Sequence, residues 1–335
     1  MPVNVGVIGV GLIGEDHVRR LSRLVAGAQV TAIADADPVR AAAVAQQFGG
    51  ISTCNSGEEL IGDDQVDAVV VASWGPTHEK YVLAAMGAEK PVFCEKPLAT
   101  TSEACLNIVA AEVAAGRRLV QVGFMRRYDP AYRALKTALE SGALGNPLLA
   151  HCVHRNPIAP PHFTGEMLIN DAAVHDIDIL RWLFNEDVVA TQVLKSRRNR
   201  DARPDADDPL LVLVQMQQGA WADIEVNMTS HYGYDIRAEV VCDDGTASLT
   251  EADGVQIKTA GRRSGLVPRD WQERFMRAYD LELQDWINAS AAGTAAGPSA
   301  WDGYMATAVS EAATASLSSA SLTRVAFEER PALYT

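Results

Sequence analysis

Apolar positions in the first third of the chain come in short unbroken runs. The segments 3–8, 29–34, 67–72, 91–95 and 119–124 are rich in valine, isoleucine and other strand-forming residues, the pattern of strands buried on both faces. Between them, helical spacing fills 13–26, 38–48, 56–62, 77–88 and 102–115. Such alternation predicts a parallel sheet covered on both sides, whose ligands bind beyond the carboxyl ends of the strands. Beyond Tyr128 the pattern changes. A helix over 130–141 precedes alternating segments at 147–156, 189–196, 210–217, 220–228, 236–242, 246–250 and 254–259, with turn signals such as Gln218-Gly219 and Asp243-Asp244-Gly245. These predict a large, mostly antiparallel open sheet with helices on one face, an α+β domain. The Ala/Ser-rich stretch 303–320 reads as a closely packed helix, and no internal repeat is visible.

The first strand runs directly into Gly9, Gly11 and Gly14, a G-x-G-x-x-G triplet followed by helical spacing at Leu12, Ile13, Val18, Leu21 and Leu24. One glycine suits a tight turn, one lets the backbone approach a pyrophosphate, and one lets helix and strand pack closely. Phosphates would sit at the helix N-terminus, where free N–H groups favour anions. The second strand ends at Asp35, about 20 residues past the triplet, where an acid receives the ribose hydroxyls of NAD. The expected class is α/β: a Rossmann doubly wound NAD-binding domain over 1–123, then the α+β domain over 124–335, to which the resemblance given below assigns substrate binding and oligomerisation.

At 335 residues the chain is long enough for two domains. Its net charge of −14 argues against a nucleic-acid partner. The basic cluster Lys195 to Arg203 precedes Asp205, Asp207 and Asp208 and reads as a solvated loop. No apolar run is long enough to span a bilayer, and the N-terminus enters a strand with no visible signal peptide. Five scattered cysteines without C-x-x-C spacing suit free thiols in a reducing cytoplasm and argue against zinc.

Three strand exits carry polar groups. The third predicted strand leaves through Ser73-Trp-Gly-Pro-Thr-His78, where Thr77 is placed to cap the next helix and Trp74 suits either stacking beside a cofactor ring or buried packing. The next leaves through Glu95-Lys96-Pro97, either a loop salt bridge or a cation over the nicotinamide crevice. The last leaves through Arg126 and Arg127 to Asp129-Pro130, a helix cap with proline in the first turn. In 170–182 helical spacing puts Asp171, His175 and Asp178 on one face. Alone these are a surface pair; beside a bound nicotinamide, a carboxylate orienting a histidine base suits alcohol oxidation. Alternation on 147–156 groups Cys152, His154 and Asn156 on one face and His151 on the other, which opposes a metal site there. His231, Tyr232 and Tyr234 form either an edge cluster or part of a site; His17 and His78 read as helix or cap residues.

With these residues in view, the chain resembles the Gfo/Idh/MocA oxidoreductases over nearly its whole length, most of all the inositol-oxidising members. The likeness runs through Gly9 to Gly14, 73–78, Val92-Phe-Cys-Glu-Lys-Pro-Leu-Ala-Thr-Thr101, Gln121-Val-Gly-Phe-Met-Arg-Arg-Tyr128, 151–157, His175-Asp-Ile-Asp178, Tyr232-Gly-Tyr-Asp-Ile236 and 297–304. It implies NAD-dependent oxidation of myo-inositol to scyllo-inosose. Lys96, Asp171 and His175 would form the catalytic triad, with His175 as base. Arg126, His154, Asn156, Asp178 and Tyr234 would bind ring hydroxyls. Leu12, Ile13, Ser73, Trp74, His78, Glu95 and Lys96 would join the glycines and Asp35 around the cofactor. A cis Lys96–Pro97 bond and a homotetramer formed through the open sheet are also implied. Asp35-Ala36, with no adjacent arginine, implies NAD over NADP. The match is weaker over 158–162, where ring selectivity would be decided. Two other readings stay open: a dehydrogenase for another inositol or an aldose, and a non-catalytic NAD-binding sensor.

Overall fold

The computed structural model describes residues 1–160, 163–249 and 257–335; residues 161, 162, 250 and 254–256, within segments discussed above, lie outside them. The chain divides into two compact units that are not consecutive stretches. The first contains Met1–Met125, Tyr279–Thr307 and Glu328–Thr335; the second contains Arg126–Ala278 and Ala308–Phe327. A single cut near residue 123 therefore follows only the first crossing of the chain.

In the first unit, strands β1 (Val3–Ile8), β2 (Ala28–Ala34), β3 (Ser52–Cys54), β4 (Ala68–Val71), β5 (Val92–Glu95) and β6 (Val120–Gly123) form one parallel sheet in the order β3-β2-β1-β4-β5-β6. Every residue of β4, β5 and β6 is buried, as expected for strands covered on both faces. Helices α1 (Leu12–Arg23), α2 (Pro38–Gln47), α3 (Gly57–Ile61), α4 (His78–Gly87) and α5 (Ser102–Ala115) alternate with the strands. Order reverses between β1 and β4, the switch point at which such sheets bind ligands. The core of this unit joins Val5, Val7, Val70 and Phe93 to Leu283, Trp286 and Ile287 from far along the sequence.

The last residues close over the same unit. Glu112 of α5 is buried; Oε1 accepts from the backbone N–H groups of Leu119 (2.5 Å) and Val120 (2.7 Å), and Oε2 accepts from the Tyr334 hydroxyl (2.6 Å). The Tyr334 ring stacks against that of Trp301, inclined by 28° with centroids 6.4 Å apart.

In the second unit, α6 (Pro130–Glu140) begins with Asp129 accepting from the Tyr132 N–H, the cap that the sequence predicts. A seven-stranded sheet then combines β7 (Pro147–Arg155), β8 (Val188–Lys195), β9 (Leu210–Met216), β10 (Trp221–Asn227), β11 (Asp235–Cys242), β12 (Thr246–Ser248) and, from the far end of the chain, β15 (Thr323–Arg324). Its order is β12-β11-β7-β10-β9-β8-β15, antiparallel throughout except for the parallel pair β7·β10. Leu210, Val212, Val214 and Met216 alternate with less buried neighbours. The less buried face carries ion pairs such as Arg155–Glu225 and His151–Asp223. Strands β13 (Ile257–Thr259) and β14 (Arg262–Ser264) form a separate hairpin, so the described part of the predicted 254–259 strand, residues 257–259, is not part of the large sheet. Helix α7 (Val174–Phe184) packs in this unit. Helix α8 (Trp271–Ser290), bent at Phe275, and α9 (Ala300–Ser319) complete the element order.

The basic loop is paired with its own acids, Lys195 to Asp207 and Arg203 to Asp205. All five cysteines are free thiols. No described helix is long and apolar enough to cross a membrane.

Candidate active site

The glycine loop takes the shape that its sequence demands. Gly9 has φ +87°, a conformation open to glycine, and a Cβ at Gly14 would lie 1.9 Å from the Gly9 carbonyl oxygen. A Cβ at Gly11 would meet nothing within 4 Å among the described residues. Gly11 is also the N-cap of α1 and supplies no side-chain cap. Open space before an uncapped helix N-terminus fits a pyrophosphate. Leu12 is exposed at this turn, whereas Ile13 packs against the core.

At the end of β2 the buried Asp35 carboxylate accepts from the Val10 N–H (2.8 Å, Oδ2) and the Asp37 N–H (2.8 Å, Oδ1). Arg40, five residues on, joins it with two further hydrogen bonds. Burial alone would raise the Asp35 pKa, but hydrogen bonds from Arg40 and the two backbone groups hold it below the ordinary carboxylate range. An ionised acid at this position fits a ribose diol. The arginine was missed because it is not adjacent to Asp35. Asp37 caps α2 and Pro38 starts it, which puts Arg40 on the first turn facing back.

The strand exits of this unit are tied to one another. His78 is buried, with Nδ1 2.7 Å from the Pro97 carbonyl and Nε2 2.9 Å from the Ser73 carbonyl, so both ring nitrogens face backbone. Thr77 does not cap α4 through its side chain. Its hydroxyl donates to the Trp74 carbonyl and meets the Ser73 hydroxyl. Trp74 is 77% exposed, which removes the buried-packing reading. The Lys96–Pro97 bond is cis, as the resemblance implies. Beside it, Glu95 is buried: Oε2 accepts from the Lys96 N–H (3.2 Å), and Oε1 meets His17 Nε2 (2.6 Å). His17 thus serves as the buried partner of Glu95 rather than as a cap.

The second unit gathers the other candidates. A π-helical turn, Leu168–Ala173, leads directly into α7, so Asp171 lies in a wider turn than regular α-helical spacing assumes, and His175 is the second residue of the α-helix. Extra-residue turns of this kind recur at functional sites. Nearly all of α7 is buried, not only the predicted stripe of Val174, Ile177, Leu180 and Leu183. The His175 ring centroid is 6.4 Å from that of His154, which meets Tyr234 edge-on at 5.9 Å. Asp176, which the sequence reading passed over, anchors this group. Its Oδ1 accepts from Arg126 Nη1 (2.5 Å), and Oδ2 lies 3.0 Å from His154 Nδ1. The only advance signal was an acid in a run of apolar helical positions.

Burial would lower the Arg126 pKa, but the Asp176 charge raises it instead; burial would likewise raise the Asp176 pKa, but the Arg126 charge and the hydrogen bonds from His154 and Arg126 hold it below the ordinary carboxylate range. Burial lowers His154 and pushes Tyr234 up to about 12, so both are neutral near pH 7. A neutral imidazole has one donor and one acceptor. His154 Nδ1 lies 3.0 Å from both Arg126 Nη2 and Asp176 Oδ2, so it accepts from the first or donates to the second. Nε2 takes the complementary role.

Asn156 follows β7, with a buried Oδ1 that has no hydrogen-bond partner among the described residues, an acceptor suited to a ligand hydroxyl. Asp178 is directed to Arg127, whose Nε (2.9 Å) and Nη2 (2.5 Å) donate to its two oxygens. His231 pairs with Asp201, and Tyr232 with Asp235 and Arg155, leaving Tyr234 as the member of that trio in the buried cluster.

Residues 3–124 match the family model described as "Oxidoreductase family, NAD-binding Rossmann fold", and residues 136–326 match its companion, "Oxidoreductase family, C-terminal alpha/beta domain". The chain is 50% identical to inositol 2-dehydrogenase 3 of Saccharopolyspora erythraea, covering 100% of this chain and 98% of that one. It is 47% identical to inositol 2-dehydrogenase of Pseudomonas savastanoi pv. phaseolicola over the whole of both. Among solved structures, myo-inositol dehydrogenase from Lactobacillus casei in complex with NAD(H) and myo-inositol matches with a TM-score of 0.97 and 35% identity, covering 100% of each chain. With both of its units matched and full-length relatives at about half identity, this chain belongs to the Gfo/Idh/MocA family of oxidoreductases.

Proposed function

We propose that the protein is an NAD-dependent inositol 2-dehydrogenase that oxidises myo-inositol to scyllo-inosose. The observation that carries the reading is the full-length likeness to the Lactobacillus casei enzyme, which binds NAD(H) and myo-inositol, together with a buried mixed donor–acceptor cluster around His154. When bound, NAD supplies the hydride acceptor, held by the loop from Gly9 to Gly14 and by Asp35. His175 takes the proton of the reacting hydroxyl, and Asp171 holds its ring and stabilises the imidazolium. The Lys96 ammonium donates to the same oxygen and to the cofactor ribose, favouring developing negative charge. Carbon loses hydride, oxygen loses a proton, and the products are the ketone, NADH and H⁺.

Asn156, His154, Arg126, Tyr234 and Asp178 serve the remaining hydroxyls, Arg126 and Asp178 while still paired to carboxylate or guanidinium partners. A site made of such groups penalises analogues that lack a hydroxyl. We assign the half-exposed face of the large sheet to homotetramer assembly in the cytoplasm, with light scattering in solution as the check.

Purified protein should reduce NAD with myo-inositol faster than with other inositols or aldoses at equal concentration. A faster aldose would assign the chain to that substrate instead. His175→Ala should abolish turnover while retaining NADH binding, and kcat/KM of the unmodified protein should rise from acid toward neutral pH. A flat profile would remove His175 as the base.

A further inference from the structure

The Asp35 carboxylate is fully subscribed. A carboxylate offers about four acceptor positions, and here Val10 N–H, Asp37 N–H, Arg40 Nε (3.2 Å, Oδ2) and Arg40 Nη2 (2.6 Å, Oδ1) occupy them. A ribose diol that donates to Asp35 must displace one of these donors. The backbone groups are fixed by the turn that starts α2, and Asp37 is itself engaged in capping that helix. Arg40 is the movable donor, a long side chain whose surface is 46% exposed.

We infer that Arg40 is a specificity-determining residue: a gate on the ribose site and a latent ligand for a 2′-phosphate, held in check by Asp35. In the resting protein its guanidinium neutralises the carboxylate that would otherwise repel NADP. NAD displaces it and takes over the carboxylate. NADP brings a dianion to the place where the guanidinium stands, and Arg is suited to bidentate phosphate recognition. Discrimination between the nucleotides is therefore set by the pair, with Asp35 excluding NADP and Arg40 limiting that exclusion. The inference rests on the proposed role of Asp35 as the ribose acceptor.

The test is equilibrium binding of NADH and NADPH, followed by titration calorimetry, to the unmodified chain, Asp35→Asn, Arg40→Gln and the double variant, with thermal melts to verify folding. Asp35→Ala replaces Asp35→Asn if the latter does not fold. Arg40→Gln should weaken NADPH at least tenfold and leave NADH equal or tighter. Asp35→Asn should gain at least tenfold for NADPH, and the double variant should lose that gain. If the double variant binds NADPH as well as Asp35→Asn does, or if Arg40→Gln leaves NADPH unchanged, Arg40 has no such role. If Asp35→Asn alters neither nucleotide, Asp35 is not the ribose acceptor, and the fault lies with the underlying reading.

Discussion

Gly11 and Gly14 are three residues apart yet restrained by different things. At Gly14 an added methyl would collide with backbone, whereas at Gly11 it would enter empty space. Gly14→Ala should lower the melting temperature by several degrees. Gly11→Ala should melt like the unmodified chain but weaken NADH at least tenfold, because its methyl fills the space proposed for the pyrophosphate; equal binding would move the phosphates elsewhere. Asp176 supports a contrasting prediction. Breaking a buried ion pair from one side strands the other charge, at a cost of roughly 3–5 kcal/mol. Asp176→Asn should therefore lower stability to chemical denaturation by about that amount, with Arg126 left uncompensated. A change below about 1 kcal/mol would show that the pair matters little. Of these residues, the glycines were legible because backbone geometry restricts the choice to glycine. Asp176 and Arg40 were not, since their roles depend on partners brought in by the fold: Arg126 50 residues away, and a turn that folds Arg40 back on Asp35.

At the scale of elements, the strands of the parallel sheet were readable because they are apolar on both faces. The exception is β3, three residues at a sheet edge with little to bury. The wide turn at 168–173 was read as ordinary helix because apolar spacing near 3.6 residues does not report one inserted residue. The His154–Asn156 face was legible from alternation, with His151 indeed turned to the other side toward Asp223. The partners of α5 were not legible, and they carry a pH prediction. Burial raises the Glu112 pKa, and its hydrogen bonds with Tyr334, Val120 and Leu119 only partly offset that. The native state thus holds this proton more tightly than the unfolded chain. The contribution is full below the ordinary carboxylate range and is lost as pH rises through the raised value. Glu112→Gln keeps an oxygen acceptor for the two backbone groups and removes the titration. Denaturation midpoints from mildly acidic to neutral pH should fall less steeply for the variant, and parallel curves would refute the assignment.

For the whole molecule, the division into units was the least legible feature, because an amphipathic helix does not announce which sheet it will cover. The 279–307 segment belongs with a sheet that ends at Gly123. Leu283, Trp286 and Ile287 each contribute about 1.5–3 kcal/mol by burial, together comparable with the net stability of an ordinary domain. A fragment of residues 1–125 should therefore lack a cooperative melt, and the addition of 279–307 in trans should restore structure if the docking surface survives. A sharp two-state transition for the short fragment would contradict this. The same interleaving bears on how the protein is made. A ribosome releases the nucleotide-binding half first, but the side chains that close its core emerge only after more than 280 residues have been joined. Through most of synthesis that half must wait with an open apolar flank, so chaperone demand should depend on how quickly the late segment arrives.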